Sequence, residues 1–345
     1  EEQQQIRRVI ERFVFDRAEL AKEGFCEADW LFLAELGLLA MSLGEEISGF
    51  VGNGVDTSLI METFGRGLMV TPLIAEIHLA GAAILRCGGR ERAMAVAEGR
   101  AHYAFAHFEH EARYNLNQVK TVAISQDGYT RVTGTKTHVL IGTRVDSFVV
   151  TARDEDGILG FYFIEAGADG LQSTSYELID GSPAVEIRLQ DVIAECLEGG
   201  ESELYELADG ARLAASAEML GIMSGLFEQT LEYVRTRRQF GAAIGSFQAI
   251  QHRLADLYVS IEQSRSLLYR AVLSSEHSRS AAIAAAKSYI STSAQRLAEE
   301  CVQLHGGIGV TDELMIGRGL KRILALARLF GESEGDLARY MALTA

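Results

Sequence analysis

The spacing of apolar residues changes period twice along this chain, and that limits the possible folds more than any single motif does. Up to about residue 105 the spacing is helical: Val55, Leu59, Ile60 and Phe64 fall three or four apart before Gly65-Arg66-Gly67. Trp30, Leu31, Leu33, Leu36, Leu38 and Leu39 form an apolar stretch punctuated by Gly37 and Gly44. Thr71-Pro72-Leu73 opens a further helix towards Gly88-Gly89. From about 106 to 198 the period falls to two. Tyr129, Arg131 and Thr133 alternate with Thr130, Val132 and Gly134, and Val185, Ile187 and Leu189 with Glu186 and Arg188. Phe148-Val149-Val150 and Leu159 to Ile164 are short apolar runs between Asp/Gly turns. Helix returns near Glu201. Phe247, Ile250, Leu254, Leu257, Ile261 and Leu268 share one face there, opposite Arg253, Asp256, Glu262 and Arg265, while Ala281 to Ala286 suits close helix approach. The expectation is a helical domain over 1–105, a middle antiparallel β domain over 106–198 and a helical domain over 199–345.

Composition narrows the function classes. With 345 residues, 48% hydrophobic and 23% charged, the chain has the make-up of an ordinary soluble protein. No apolar run reaches the roughly 18 residues of a membrane span. A net charge of −16 disfavours nucleic acid and anionic membranes as partners. Cys26, Cys87, Cys196 and Cys301 are scattered without a Cys-x-x-Cys pair, so reduced, buried thiols in a cytoplasmic protein are expected. Only Pro72 and Pro183 interrupt the chain, which fits long helices. The chain opens inside a helical pattern, Glu1-Glu2-Gln3-Gln4-Gln5, so a few preceding residues are expected.

Two motifs carry chemistry. The first is Arg237-Arg238-Gln239-Phe240-Gly241 followed by Phe247-Gln248-Ala249-Ile250-Gln251-His252; the second is Gln303-Leu304-His305-Gly306-Gly307-Ile308-Gly309. A guanidinium at a helix end can grip a diphosphate with paired hydrogen bonds. Adjacent glycines let backbone N–H groups approach a ligand with no Cβ in the way. In this order and separation the motifs resemble those of the acyl-CoA dehydrogenase family of flavoenzymes.

That resemblance implies a multidomain α+β fold: N-terminal helical domain, middle antiparallel β domain and C-terminal four-helix bundle. It implies FAD between the β domain and the C-terminal helices, its diphosphate reached by a neighbouring subunit. Arg237, Phe240 and Gln248 match the family's adenine-side residues, and Gln303, Gly306 and Gly307 its second cofactor turn. Gly134-Thr135-Lys136 resembles the family's Gly-x-Lys strand, but His138 and Leu140 stand where an aromatic and a threonine often flank the flavin ring. Where the family has Thr-Glu-Pro-Gly-x-Gly-Ser-Asp, this chain has Phe108-Glu109-His110-Glu111-Ala112-Arg113-Tyr114-Asn115.

The family's reaction needs a desolvated carboxylate to take the α-proton of an acyl-CoA while the flavin accepts hydride. Of the two places where the family carries that glutamate, one is Phe330 here, before Gly331, and the other is Ala211, before Arg212. Glu218, two turns beyond Ala211 on the same helix face, is the in-chain candidate, with Arg212 beside the usual position. Its structural alternative is an ion pair with a neighbouring helix or subunit. Asp209 and Glu332 are further acids nearby. His107 and His110 have a His-x-x-His spacing with no third ligand in view, so no metal is expected. His252 and His305 read as packing or phosphate-side residues. The motifs look most like the steroid-type branch, whose members often pair two different subunits. The leading expectation is therefore the less catalytic subunit of an α2β2 complex. The alternatives are a homotetramer using Glu218, and a non-enzymatic scaffold. An electron-transferring flavoprotein is the implied acceptor.

Overall fold

The computed structural model describes residues 2–17, 25–48, 54–126, 128–311 and 314–345. In chain order the N-terminal helices are α1 (Glu2–Arg17), α2 (Glu27–Glu35), α3 (Leu38–Leu43), α4 (Glu45–Ser48) and α5 (Gly54–Arg66). A π-helical segment, Leu73–Gly81, then runs into α6 (Ala82–Arg86) and α7 (Arg90–Ala97). The strands β1 (Tyr103–Ala106), β2 (Val122–Gln126), β3 (Tyr129–Leu140), β4 (Ser147–Arg153), β5 (Leu159–Glu165), β6 (Leu171–Glu177) and β7 (Pro183–Leu197) follow. After them come α8 (Glu201–Thr236), the short strands β8 (Arg238–Gln239) and β9 (Ala242–Ala243), α9 (Gln248–Leu273), α10 (Glu276–His305), α11 (Met315–Ala327) and α12 (Ser333–Thr344). Two compact units result: 1–23 with 54–70 and 212–345, and 24–53 with 71–211.

In the second unit, seven strands form one sheet whose pairings close on themselves, β4–β2–β3–β7–β5–β4. The long β7 lies against β3 on one side and against β6 and then β5 on the other. All neighbours are antiparallel except β4 with β1 and with β2, which run parallel. The inward residues of each strand, among them Val132, Val139, Phe148, Val150, Ile164, Ile187 and Val192, make the core. This is the alternation that the period-two pattern requires. One strand was not legible that way: all four residues of β1 are buried, so it shows no alternation, and its first three residues fall inside the stretch expected to be helical. The helix expected after Pro72 exists, but its first nine residues are π-helical and all buried.

In the first unit, glycines set how closely α5 and α8 approach. A side chain at Gly65 would overlap the backbone of Glu218, and one at Gly221 or Gly225 the backbone of Glu62 or Arg66. The helix backbones therefore touch along a seam that a methyl group would open. The apolar face of α9 is buried at Leu254, Leu257, Ile261 and Leu268, as its spacing dictates. Arg265 departs from the expected solvent face, because its guanidinium reaches the buried Glu62 at 2.5 Å. The thiols need correction too. Cys87 and Cys301 are buried, but Cys26 and Cys196 are exposed, the first at the start of α2 and the second on an outward position of β7.

No helix among the described residues is long and apolar enough to cross a membrane.

Candidate functional site

The two glycine-bearing motifs meet at one end of the first unit. The Arg237 N–H donates to the Tyr233 carbonyl at 2.8 Å, carrying α8 into the hairpin. There Arg238 pairs with Ala243 and Gln239 with Ala242. Phe240 and Gly241 form the two-residue turn between them, with φ of 52° and 81°, as a type I′ geometry requires. Glycine takes that backbone freely, whereas phenylalanine is strained in it. The turn also holds the Phe240 ring 93% exposed, edge-on to Phe247 at 6.4 Å.

Tyr233 joins this hairpin to the second motif. Its ring stacks on His305 with centroids 4.3 Å apart, and its hydroxyl donates to the His305 carbonyl at 3.4 Å. The His305 Nδ1 lies 2.8 Å from the Cys301 carbonyl, which fixes the ring over the end of α10. Beneath, Val234, Leu254 and Leu304 form a small core with Ile244 and Ile250. Arg237, Gln248, Gln303, Gly306 and Gly307 all remain exposed around this anchor. A Cβ at Gly306 or Gly307 would meet nothing, so their backbone faces open space. No acidic partner of Arg237 is found among the described residues. An unpaired guanidinium beside open backbone N–H groups suits a diphosphate. The donor set therefore fits the nucleotide end of FAD.

Elsewhere in the same unit, Arg212 ties the start of its stretch of α8 to the C-terminal segment. Its Nη2 donates to the Phe330 carbonyl at 2.6 Å, and its Nε lies 3.1 Å from Asp336. Phe330, one of the two positions where the resemblance puts a base, is thus held by Arg212, the residue that follows the other in sequence. Phe330 has φ 57° and is 1% exposed, so the strained bend before Gly331 turns the ring inward. Lys287 completes the junction, donating to the Ala327 carbonyl at 2.8 Å at the C-terminus of α11 and lying 3.8 Å from Asp336. A cation there complements the helix dipole. Burial pushes Lys287 down to about 8 and raises the Asp336 carboxyl. The sequence reading missed Lys287, Asp336 and Tyr233. An isolated lysine among alanines on α10 was the one available hint.

Glu218 is buried, and both its oxygens are taken by Arg322 of α11, at 2.6 Å from Nε and 3.0 Å from Nη2. Glu332 is exposed, and Asp209 is buried in the other unit's stretch of α8.

In the β unit the stretch from Phe108 to Asn115 is drawn into the sheet by Glu109. That carboxylate accepts from Lys120 N, Thr121 N, Thr121 Oγ1 and the buried Lys136 Nζ, the last at 2.7 Å. Burial acts against the charge of Glu109, but Lys136 and the other donors hold its carboxyl below the usual range. His107 is buried against Thr151, and burial pushes it down to about 3; His110 is exposed against Glu186. His138 sits at a register irregularity of β3 with φ 53°, its N–H donating to the Tyr176 hydroxyl. Burial lowers its pKa, and the neighbouring His110 adds to the effect. Leu140 is half-buried and offers no hydrogen bond.

Comparison with known proteins gives a consistent picture. The family models described as acyl-CoA dehydrogenase, N-terminal domain, and acyl-CoA dehydrogenase, C-terminal domain, match residues 1–96 and 204–341. The probable acyl-CoA dehydrogenase YngJ of Bacillus subtilis (strain 168) is 30% identical over 326 residues, covering 88% of this chain and 84% of that one. Among solved structures, a Tcur3481-Tcur3483 steroid ACAD variant is similar with a TM-score of 0.88 at 27% identity, over 99% of this chain and 97% of that one. The ChsE4-ChsE5 complex from Mycobacterium tuberculosis is similar with a TM-score of 0.88 at 25% identity, over 99% and 96%.

Proposed function

The chain belongs to the acyl-CoA dehydrogenase family, and from that premise we propose that it serves as the less catalytic subunit of an FAD-dependent acyl-CoA dehydrogenase assembly. The observation that carries this reading is a contrast within one chain. The nucleotide-side residues are gathered, exposed and unpaired, while both base positions hold apolar side chains.

FAD, when bound, supplies the hydride acceptor for α,β-dehydrogenation of a CoA thioester. Arg237 would hold the diphosphate with paired N–H groups, and the Gly306-Gly307 backbone would donate beside it. Gln248 and Gln303 would add side-chain hydrogen bonds, and Phe240, held outward by its strained turn, would pack on the ligand. His138 can offer an imidazole to the flavin edge, whereas Leu140 can only exclude water.

Glu218 we read as structural, because a carboxylate gripped on both oxygens by a buried guanidinium is stabilised as an ion-pair partner. Proton abstraction then falls to a homologous subunit. Arg212 keeps a positioning role by holding the Phe330 carbonyl. The likenesses to a protein named a steroid ACAD and to a structure named a complex lead us to a steroid-derived CoA thioester and an α2β2 heterotetramer. An electron-transferring flavoprotein would re-oxidise the flavin, in the cytoplasm.

The test is to purify the chain alone and add acyl-CoA anaerobically. A preparation without flavin bleaching supports the reading. A yellow protein whose flavin is reduced would favour a homotetramer with its own base. If a coexpressed homologous subunit still leaves the preparation free of flavin, a scaffold role is favoured instead.

A further inference from the structure

A second cluster, in the β-containing unit, takes no part in the site above. His102 is fully buried just before β1. Its Nδ1 lies 3.1 Å from Oε1 of Glu76 on the π-helical segment, and its Nε2 lies 3.1 Å from Oε1 of Glu27 on α2. Glu27 in turn accepts from the Thr143 hydroxyl at 2.6 Å. The His102 N–H donates to Asp146 Oδ2 at 2.9 Å, and the Asp146 N–H returns to the His102 carbonyl at 2.7 Å. Arg144 stands 4.0 Å from Glu27 and 3.5 Å from Asp146. Any side chain at Gly142 would overlap the Glu76 carboxylate, so the connection from β3 to β4 sits directly on it.

The proton count in this cluster is constrained. A neutral imidazole has one N–H and one lone pair, yet each ring nitrogen here faces a carboxylate. Both contacts are favourable only if one extra proton is present, on the ring or on Glu76. Without it, a buried carboxylate faces a nitrogen lone pair.

We propose that Glu27, His102 and Glu76 form a proton-loaded latch that pins the 141–146 connection and the first turn of α2 to the π-helical segment, and that loss of its proton releases them. Glu76 is 1% exposed, whereas the side chain of Glu27 is 39% exposed, so the proton leaves through the Glu27 end.

The electrostatics agree in sign. Burial acts against the charged ring of His102, but Glu76 and Glu27 outweigh both burial and Arg144 and hold it above 6.5. Burial raises Glu76 above 4.5, with Glu27 and Asp146 adding to the rise and His102 opposing it. On either group, the fold holds a proton that the open state gives up. Burial acts against the charge of Glu27, but Thr143 and His102 hold its carboxyl below 4.5, so the latch is complete above that lowered value and is lost as pH climbs past the raised His102 value.

Hydrogen exchange of the full chain between pH 6 and 9, corrected for the intrinsic rise with hydroxide, tests this. An opening that releases one proton grows about tenfold per pH unit between the ordinary histidine value of 6.5 and the raised folded value, and levels off above it. Peptides covering 73–81 and 141–146 are expected to follow that slope in the wild type and to lose it in His102→Gln. A flat wild-type profile, or an unchanged slope in His102→Gln, overturns the proposal. Should that variant fail to fold, Glu27→Gln removes only the solvent-facing carboxylate. It is expected to move the upper end of the rise to lower pH, and an unmoved upper end overturns the latch.

Discussion

Substituting Glu218 separates a structural carboxylate from a catalytic one. Its side chain is 4% exposed and that of Arg322 9%, with hydrogen bonds at 2.6 and 3.0 Å. Removing one member of a buried pair costs about 3–5 kcal/mol, because the other charge is left without compensation. Glu218→Gln keeps the shape and removes the charge. The lower figure, about 3 kcal/mol, is expected since Arg322 makes a further interaction. For a unit of 150–250 residues, at roughly 2–4 °C per kcal/mol, that lowers the melting temperature by roughly 6–12 °C. Replacing both partners, Glu218→Leu with Arg322→Met, is expected to recover most of the loss, since apolar replacements of a buried pair are often neutral. Thermal unfolding of the assembled complex measures stability, and anaerobic flavin reduction by acyl-CoA measures chemistry on the same samples. A Glu218→Gln protein that melts with the wild type but no longer reduces its flavin would refute the structural assignment and make Glu218 the base.

Arg237→Ala is expected to weaken FAD retention by about 2–5 kcal/mol in the assembled complex, the usual cost of truncating one partner of a desolvated charge pair. Flavin absorbance after gel filtration reads this, and Arg237→Lys should fall between, since an ammonium cannot make the paired contact. Gly221→Val is expected to separate α5 from α8 and destabilise the first unit by about 1–3 kcal/mol, read from the urea midpoint. Glu109→Gln bears on acid stability. The folded carboxyl is held below 4.5, so its stabilisation is full above that value and is lost as pH falls through the lowered one. Circular dichroism between pH 7 and 3 should therefore show the wild type losing its sheet more steeply than the variant.

Much of the architecture was readable because periodicity reports which face is buried. The alternation of β3 and β7 and the three–four spacing of α9 follow directly from their packing. β1 escaped because a strand buried on both faces has no alternation to show, and the π-helical segment because its residues are buried all round. The nucleotide-side motifs were legible as motifs, but their common anchor was not. Tyr233 and His305 lie 72 positions apart, and nothing local marks them as a stacked pair. The same holds for Arg212 and Phe330, 118 apart. Glu109 belonged to a stretch that reads as an eroded loop. The structure gives it a reason to be there, since it is the counter-ion of a lysine buried within the sheet unit.

The most direct test of a shared cofactor site is a structure of the purified, flavin-loaded assembly. The Arg237 guanidinium and the Gly306-Gly307 backbone are expected at hydrogen-bonding distance, about 3 Å, from the diphosphate of a flavin bound against a neighbouring protomer. A structure with these groups remote from every flavin, in all subunit pairings, would contradict a shared site.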